Sequence, residues 1–274
     1  MAKIFSGQRI VPVWVAAARS LNKAKSEQRT QRNYLLEITS PVMLIPTDLS
    51  VISAVDAKLR KAKEGLSVET VAGTLFPNGL YRRYGRPDFY GHYLTAIEKG
   101  KDRGTWGTYA MRMIERANPK NNSVFNPLDK IVEKLQTAKN GRRVHAAYEL
   151  GVVVLTDLID SPVVDFGCEL PLYDPVTDGG KPAGIPCLSH LSFKLNDEDT
   201  VDLTAVYRSH HYAQRALGNL IGLSQMLAFV AKEADLTIGT LTCVSTQAHL
   251  DVATWGGVVA TDALLAIFPE EELA

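Results

Sequence analysis

The sequence predicts a single α+β domain in which helices surround a mixed sheet. Helical and strand periodicities alternate along the 274 residues, which is typical of a sheet with helices packed against it. With 46% hydrophobic residues, the chain is able to bury a substantial core. The sequence has no internal repeat, low-complexity segment or obvious linker. We therefore expect residues 1–274 to fold as one domain.

The elements predicted in the N-terminal half rest on apolar spacing and on residues that start or stop helices. Prolines and glycines mark the breaks between them. The elements are a helix at 11–25, a strand at 34–45 interrupted by Pro41, a helix at 51–63 capped by Asp48 or Ser50 and ended by Gly65, a helix from Ser67 to the turn Pro77-Asn78-Gly79, and a helix at 89–97.

The C-terminal half continues the alternation. An amphipathic helix is predicted to open at Asn126 and to end before Asn140-Gly141. After it come a valine-rich buried strand at 144–158, a long loop at 173–185, strands at 188–195 and 201–207 joined by a turn, an apolar helix at 216–231 and a strand at 236–244.

Charge and cysteine content exclude several classes of protein. Thirty basic and thirty acidic residues give a net charge of zero, so no overall field attracts nucleic acid or an anionic membrane. The apolar runs are too short for a membrane span, and the N-terminus lacks the features of a signal peptide. The three cysteines, Cys168, Cys187 and Cys243, form no recognisable disulfide or metal pattern. We expect a cytoplasmic protein without a membrane partner.

The residues that carry chemistry lie between positions 186 and 251. A thiol at Cys187 follows Pro186, and the pair Arg208-Ser209 is followed by Asn219. Arginine and serine suit a phosphate, an asparagine offers a donor and an acceptor to a base edge, and a thiolate is a nucleophile. We expect Arg208 to favour the thiolate form of Cys187. Together these groups indicate a site for a nucleotide whose base is attacked.

This pattern resembles the thymidylate synthase family. Pro186-Cys187-Leu188 stands where the family has its nucleophilic Pro-Cys-His motif, and Arg208 and Ser209 stand at its phosphate-binding pair. His211 replaces a family aspartate, and Asn219 matches the base-binding asparagine. The resemblance implies the thymidylate synthase fold, a pyrimidine nucleoside monophosphate of the uracil type, and covalent addition of Cys187 to C6 so that C5 is modified.

Further positions match with less sequence around them. The resemblance implies that Tyr109 is an active-site tyrosine, that Arg29 contacts phosphate, and that His249 contacts ribose with Asp251 in the place of a family tyrosine. It also implies that Arg142 and Arg143 reach the phosphate of a second subunit. A homodimer is therefore expected.

The sequence departs from the family where the folate chemistry is carried out. Ala72 stands at the catalytic glutamate, with Glu69 one helical turn away as a substitute, and the acidic C-terminus does not resemble a tail that closes over folate. A histidine at 211 would also meet a pterin differently from an aspartate. The cofactor is left open, with methylene-tetrahydrofolate as one candidate.

Several alternatives remain open. Cys168 and Cys243 are interpreted as structural, Arg142-Arg143 also suits a solvated helix end, and Asn219 suits a helix start. The histidines lack a recognised ligand spacing, so no metal site is expected. The protein is then either a one-carbon transferase, a methyltransferase or hydroxymethyltransferase, or a nucleotide-binding sensor or assembly component without folate-dependent turnover. A third alternative is an enzyme acting on a larger nucleotide conjugate.

Overall fold

A seven-stranded mixed sheet lies at the centre of the structure. The computed structural model describes residues 2–24, 29–62, 65–100, 107–117, 123–141, 148–152, 186–196 and 198–269. The strands in these ranges are β1 Lys3–Gly7, β2 Thr30–Ile38, β3 Arg116–Ala117, β4 Val124–Phe125, β5 Glu149–Gly151, β6 Leu188–Leu195, β7 Thr200–Tyr207, β8 His210–His211 and β9 Thr237–His249. The sheet order is β1-β2-β9-β7-β6-β5, and β8 pairs with β9.

The helices surround this sheet. They are α1 Ile10–Asn22, α2 Pro46–Leu59, α3 Val68–Leu75, α4 Asn78–Tyr84, α5 Asp88–Gly100, α6 Tyr109–Ile114, α7 Pro127–Lys139, α8 Leu217–Glu233 and α9 Val258–Leu265. A π-helical turn, Tyr212–Ala216, leads into α8, and a 3₁₀ turn, Val252–Trp255, follows β9. Among the helices of the described ranges, none has both the length and the apolar character needed to cross a membrane.

Both parallel and antiparallel pairs occur in the sheet, which confirms the prediction of a mixed sheet with surrounding helices. The strand β9 is antiparallel to β2 and parallel to β7, and β7 is antiparallel to β6. Since side chains alternate between the faces of a strand, one row across the sheet is wholly buried and the next row is not. The buried row comprises Leu36, Cys243, Ala205 and Leu191.

The buried face of the sheet is covered by α1 and α8. Trp14 of α1 and most of α8 are inaccessible to solvent, which explains why the sequence from 216 to 231 is apolar on all sides. A single apolar cluster connects these helices and the sheet. This continuity supports the expectation of one domain.

Two glycines bring α8 very close to α3. A Cβ added at Gly218 would lie 2.6 Å from Cβ of Val71, and one added at Gly222 would lie 2.7 Å from the carbonyl oxygen of Ala72. Only glycine fits at these distances, so α8 presses directly against α3. The contact places the C-terminal half of α3 beside the start of α8.

Most elements agree with their sequence predictions, including the N-caps Ser67 and Asn126. Several predicted bounds were wrong. Asn78 begins α4 instead of completing a turn, because α4 can start directly after Pro77. The strand predicted at 34–45 ends at Ile38, three residues before Pro41. The strand predicted at 236–244 continues to His249, because its end pairs with β2 and β8.

The cap predicted for α2 was also wrong. Ile45 occupies the N-cap position, and Asp48 lies in the first turn, where its carboxylate accepts the backbone N–H of Ile45 at 3.1 Å. Residues 149–151 of the predicted strand at 144–158 form β5. The predicted loop at 173–185 and most of the remaining strand lie outside the described residues.

Candidate functional site

A cavity of about 330 Å³ lies between α3, the start of α6, the adjoining ends of β6 and β7, and the start of α8. Its volume is within the range of small-molecule sites. Five of the residues singled out in the sequence line it together, although 110 positions separate the first from the last in the chain. They are Tyr109, Cys187, Ser209, His211 and Asn219.

Antiparallel pairing brings Cys187 and Arg208 together. Leu188 at the start of β6 is paired with Tyr207 at the end of β7, so the preceding cysteine and the following arginine are neighbours. The guanidinium of Arg208 donates to the carbonyl oxygen of Pro186 at 2.7 Å. Arg208 is therefore placed behind Cys187 and is not among the residues lining the cavity.

The environment of the Cys187 thiol differs from the expectation that arginine makes it a ready thiolate. Burial raises the pKa of Cys187, and the charges of Arg208 and Arg215 offset this in part. The expected effect of Arg208 is present, but desolvation outweighs it and the pKa lies above its ordinary value. In this state the sulfur is mainly a thiol at neutral pH.

Tyr109 holds the backbone at Cys187. Its hydroxyl oxygen accepts the backbone N–H groups of Cys187 at 3.1 Å and Leu188 at 3.3 Å. The tyrosine begins α6, whose N-cap is Thr108. Burial, followed by the nearby Cys187, raises the pKa of Tyr109 to about 12. The geometry gives this tyrosine a positioning contact with the segment that carries the thiol.

Asn219 lies in the first turn of α8 and is almost wholly buried. One amide N–H donates to Nε2 of His210 at 3.1 Å, and Nδ1 of that ring lies 2.9 Å from Oγ of Ser245. Burial, and then the charge of His211, lowers the pKa of His210 to about 3. His210 is therefore neutral, and Asn219 is fixed by a neutral ring.

Of the three residues predicted on the ribose side, one lines the cavity and two lie outside its lining. His211 lines the cavity, and its ring contacts that of His249 at 5.5 Å between centroids. His249 bonds through Nδ1 to Oγ1 of Thr30 at 3.0 Å, and Asp251 accepts the N–H of Ala253 at 3.1 Å. Burial lowers the pKa of His211. Neither His249 nor Asp251 is a cavity-lining residue.

Arg29 lies farther along the same edge of the sheet. Its Nε donates to Oδ1 of Asn22 at 3.2 Å, and its carbonyl oxygen accepts the N–H of Leu250 at 3.3 Å. The structure places it beside the end of β9 without bringing it to the cavity wall. Arg142 and Arg143 lie outside the described residues.

Arg215 is a site residue that the sequence analysis missed. It lies on the π-helical turn and lines the cavity, and its charge offsets part of the rise that burial causes in the pKa of Cys187. It also lines a neighbouring cavity of about 550 Å³ together with Lys58 and Lys61. Its position four residues before Asn219 was the available signal, since that spacing places two residues of a helix on one face.

No carboxylate is present among the described residues that line the 330 Å³ cavity. Ala72 is buried where α3 meets α8, and Glu69 is exposed on α3 outside the cavity lining. Within the described ranges there is also no group of three or more His, Cys, Asp or Glu residues that could hold a metal ion. Cys243 is buried in the core, and burial raises its pKa to about 12. Cys168 lies outside the described residues.

The fold and site define a mixed α/β protein with a cysteine, an arginine and an asparagine around one cavity. Comparison with curated proteins confirms its resemblance to thymidylate synthases. A stretch of 71 residues is 42% identical to a Methanococcoides burtonii protein named "Putative thymidylate synthase", covering 26% of this chain and 32% of the relative. A Methanosarcina mazei protein of the same name is 38% identical over equal shares.

A longer match is found with a Methanosarcina acetivorans protein of that name, at 28% identity over 134 residues, which is 49% of this chain and 50% of the relative. The chain thus spans between a third and a half of the length of these relatives. No family model matches the chain. The protein is thymidylate synthase-like.

Proposed function

We propose that the protein binds a pyrimidine nucleoside monophosphate with a uracil-type base and that the sulfur of Cys187 adds to C6 of that base. The observation that carries this proposal is the convergence of Cys187, Arg215 and Asn219 on one cavity. These residues provide a nucleophile, a cation and an amide that pairs with a base edge. The relatives named as thymidylate synthases support the same chemistry.

The proposed addition follows from the electron distribution of the base. A thiolate attacks the electron-poor C6, a C–S bond forms, and the electrons of the C5–C6 double bond move toward the O4 carbonyl. C5 then takes up a proton or a one-carbon electrophile, and loss of the C5 proton expels the sulfur. Since burial raises the pKa of Cys187, deprotonation has to accompany ligand binding or attack.

The phosphate is proposed to lie toward Arg215 and Ser209, with Arg208 behind them. His211, His249 and Asp251 would lie on the sugar side, where His211 reaches the cavity. Arg29 lies off the described cavity wall, so its contact with the phosphate stays a prediction, as do those of Arg142 and Arg143 from a second subunit. Charge-assisted bonds from arginine are among the strongest that hold a phosphate.

A homodimer is proposed, and the open face of the sheet supports it. The row Leu35, Val244 and Val206 runs across three strands and is only half-buried. The adjacent row contains Thr242 and Thr204, which are half-buried as well. The apolar row of this face, bordered by the exposed Glu37 beside Thr242, suits packing against the same face of another copy.

The cavity does not fit a reduced folate as a reacting partner. A pterin presents ring N–H and amino donors, which a carboxylate would accept, yet no carboxylate lines the described wall. His211 stands there instead, and burial lowers its pKa, which favours the neutral ring. The proposed reaction therefore has no step in which folate takes part.

This mismatch favours a second candidate function, nucleotide binding without folate-dependent turnover. Such a protein would act as a sensor or as a component of an assembly. The specific observation is that Ala72 is buried against α8 and Glu69 is exposed, so neither position supplies an acid or base to the cavity. An enzyme and a binding protein would share the same nucleotide site and differ only in whether a chemical step takes place after binding.

Mass spectrometry with 5-fluoro-dUMP tests the proposal, because the electron-withdrawing fluorine at C5 favours addition at C6, and rapid denaturation in acid preserves the thioether before the addition can reverse. We expect one adduct, located on Cys187 by peptide mapping and absent from Cys187→Ser. Binding without an adduct would support the non-catalytic alternative. If calorimetry also shows no binding by the wild-type protein, the nucleotide site itself is refuted.

A further inference from the structure

His210 is held in one orientation on every side. Its ring is 1% exposed and stacks on Tyr207 with 4.0 Å between centroids and 4° between planes. The ring of Tyr212 meets it edge-on at 5.4 Å. The two ring nitrogens contact Ser245 and Asn219, so rotation of the ring would break both bonds. The imidazole is consequently a rigid part of the cavity wall.

The bonding partners assign the proton on this ring. The amide nitrogen of Asn219 has hydrogens and no acceptor, so Nε2 of His210 must carry the lone pair. A neutral imidazole has one N–H, which is then on Nδ1 and donates to Oγ of Ser245. With the amide nitrogen of Asn219 toward the ring, the hydrogen bonds run in one direction, from Asn219 through His210 to Ser245.

This direction fixes what Asn219 offers to a ligand. One amide hydrogen is used by His210, which leaves the carbonyl oxygen and the second hydrogen for the cavity. That edge matches a base with an N3–H donor beside an O4 acceptor. Cytosine has the reverse pattern, an N3 acceptor beside an amino donor. The amide would have to rotate by half a turn to match it.

Rotation of the amide would place its oxygen against the lone pair of Nε2. Two acceptors would then face each other without a hydrogen in a buried position, which is costly. Moving the ring proton to Nε2 would relieve this only if Ser245 reversed its own bond. The histidine therefore opposes the cytosine-matching orientation.

We propose that His210 is the positioning residue that gives the cavity its preference for uracil-type over cytosine-type nucleotides, by holding the amide of Asn219 in one orientation. This inference rests on the proposed nucleotide site. It adds a residue of the cavity wall whose two ring nitrogens are already bonded, and it assigns that residue the choice of base through Asn219.

Binding of dUMP and dCMP to matched variants tests the inference. His210→Phe keeps a ring on Tyr207 and removes both hydrogen bonds, whereas His210→Gln can place an acceptor oxygen near the position of Nε2. We expect the wild-type protein to prefer dUMP by roughly tenfold or more. The preference should fall toward equality in His210→Phe and be largely retained in His210→Gln. An unchanged ratio in His210→Phe would overturn the inference.

Two measurements separate the inference from the function beneath it and from misfolding. If the wild-type protein binds both nucleotides equally, the role of His210 is refuted while the nucleotide site stands; if it binds neither, both are refuted. Nitrogen-15 NMR of the ligand-free protein with labelled histidine should show a protonated Nδ1 and an unprotonated Nε2, and the opposite tautomer would overturn the inference. Ser245→Ala, with a smaller change in the core, replaces His210→Phe if that variant does not fold and should also weaken the preference.

Discussion

The backbone N–H of Arg208 donates to the carbonyl oxygen of Cys187 at 2.9 Å. This bond joins the start of β6 to the end of β7. It places the permanently charged guanidinium of Arg208 behind the proposed nucleophile. The start of β6 is also held by the hydroxyl of Tyr109, which accepts backbone N–H groups there. The thiol is thus fixed by its backbone, while its ionisation depends on the balance between burial and two arginines.

The reactivity of Cys187 should rise at a higher pH than that of an ordinary thiol. Because burial raises its pKa, we expect the midpoint of iodoacetamide labelling to lie above about 8.5, and Arg215→Gln should move it higher. The measurement is the labelling rate against pH, with peptides identified by mass spectrometry. Cys243 should react later, since burial raises its pKa to about 12. A midpoint below that of a free thiol would contradict the prediction.

Arg215 should contribute to anion binding although no sequence motif identified it. We expect Arg215→Ala to weaken dUMP binding by roughly 1.5–3 kcal/mol, the usual range for hydrogen bonds to charged groups. Arg82→Ala is the matched control, because Arg82 is exposed on α4 and lies outside the cavity lining. Calorimetry at constant salt gives both affinities. Equal losses in the two variants would show that only overall charge matters.

The contact between α3 and α8 should be intolerant of a methyl group. In Gly222→Ala the new Cβ would meet the carbonyl oxygen of Ala72 and Cβ of Leu75, so we expect a loss of about 1–3 kcal/mol in unfolding free energy. Gly73→Ala provides the control on α3, since its Cβ would meet nothing within 4 Å and alanine favours a helix by about 1 kcal/mol. Urea denaturation compares them. Similar effects of the two substitutions would refute the close-packing argument.

Stability should fall when the pH is lowered through the range in which an unfolded histidine becomes protonated. Burial lowers the pKa of His210 from 6.5 to about 3, so below pH 6.5 the unfolded state binds the extra proton and gains stability. Between pH 7.5 and 5.5 this amounts to about 1.4 kcal/mol, present at the higher pH and lost at the lower. His211 adds to the slope in the same direction. Urea denaturation at both pH values should show a smaller difference for His210→Gln than for the wild-type protein; an equal difference would exclude His210 as a source.

Thymidylate formation from dUMP and methylene-tetrahydrofolate should be absent or very slow. General acid–base catalysis is worth roughly 10²–10⁴ in rate, and the described cavity wall has no carboxylate to provide it. The assay follows dTMP and dihydrofolate, with Cys187→Ser as the blank. Turnover near 1 s⁻¹ or faster, as in typical enzymes, would show that a residue beyond the described wall supplies the missing group.

The parts of the site that the sequence could predict depend on local order along the chain. Cys187, Arg208 and Asn219 lie at the ends of strands and at the start of a helix that periodicity locates well, and the structure brings the cysteine and asparagine into one cavity. The resemblance added Tyr109, which the fold carries to Cys187 from another part of the chain. No spacing rule on its own predicts that contact.

The features that the sequence could not predict depend on packing. The pKa of Cys187 is set by desolvation, which raises it, against the charges of nearby arginines, which lower it. Desolvation depends on the folded environment and cannot be read from the sequence. His210 stands beside His211 in the sequence, and nothing in that order indicates that pairing of β8 with β9 buries it against Ser245. Arg215 lies four residues before Asn219, which hints at a shared helix face, but that spacing does not reveal the π-helical turn from which Arg215 reaches the cavity.

The two glycines of α8 also determine the shape of the ligand space without entering it. Val71 and Thr74 form part of the cavity wall because α3 can approach α8 to the limit allowed by backbone atoms. A larger residue at Gly218 or Gly222 would wedge the helices apart and widen the space beside Asn219. The volume of the cavity is therefore controlled from the rear of its wall, and substitution at 218 or 222 would change that volume without replacing any side chain that lines it.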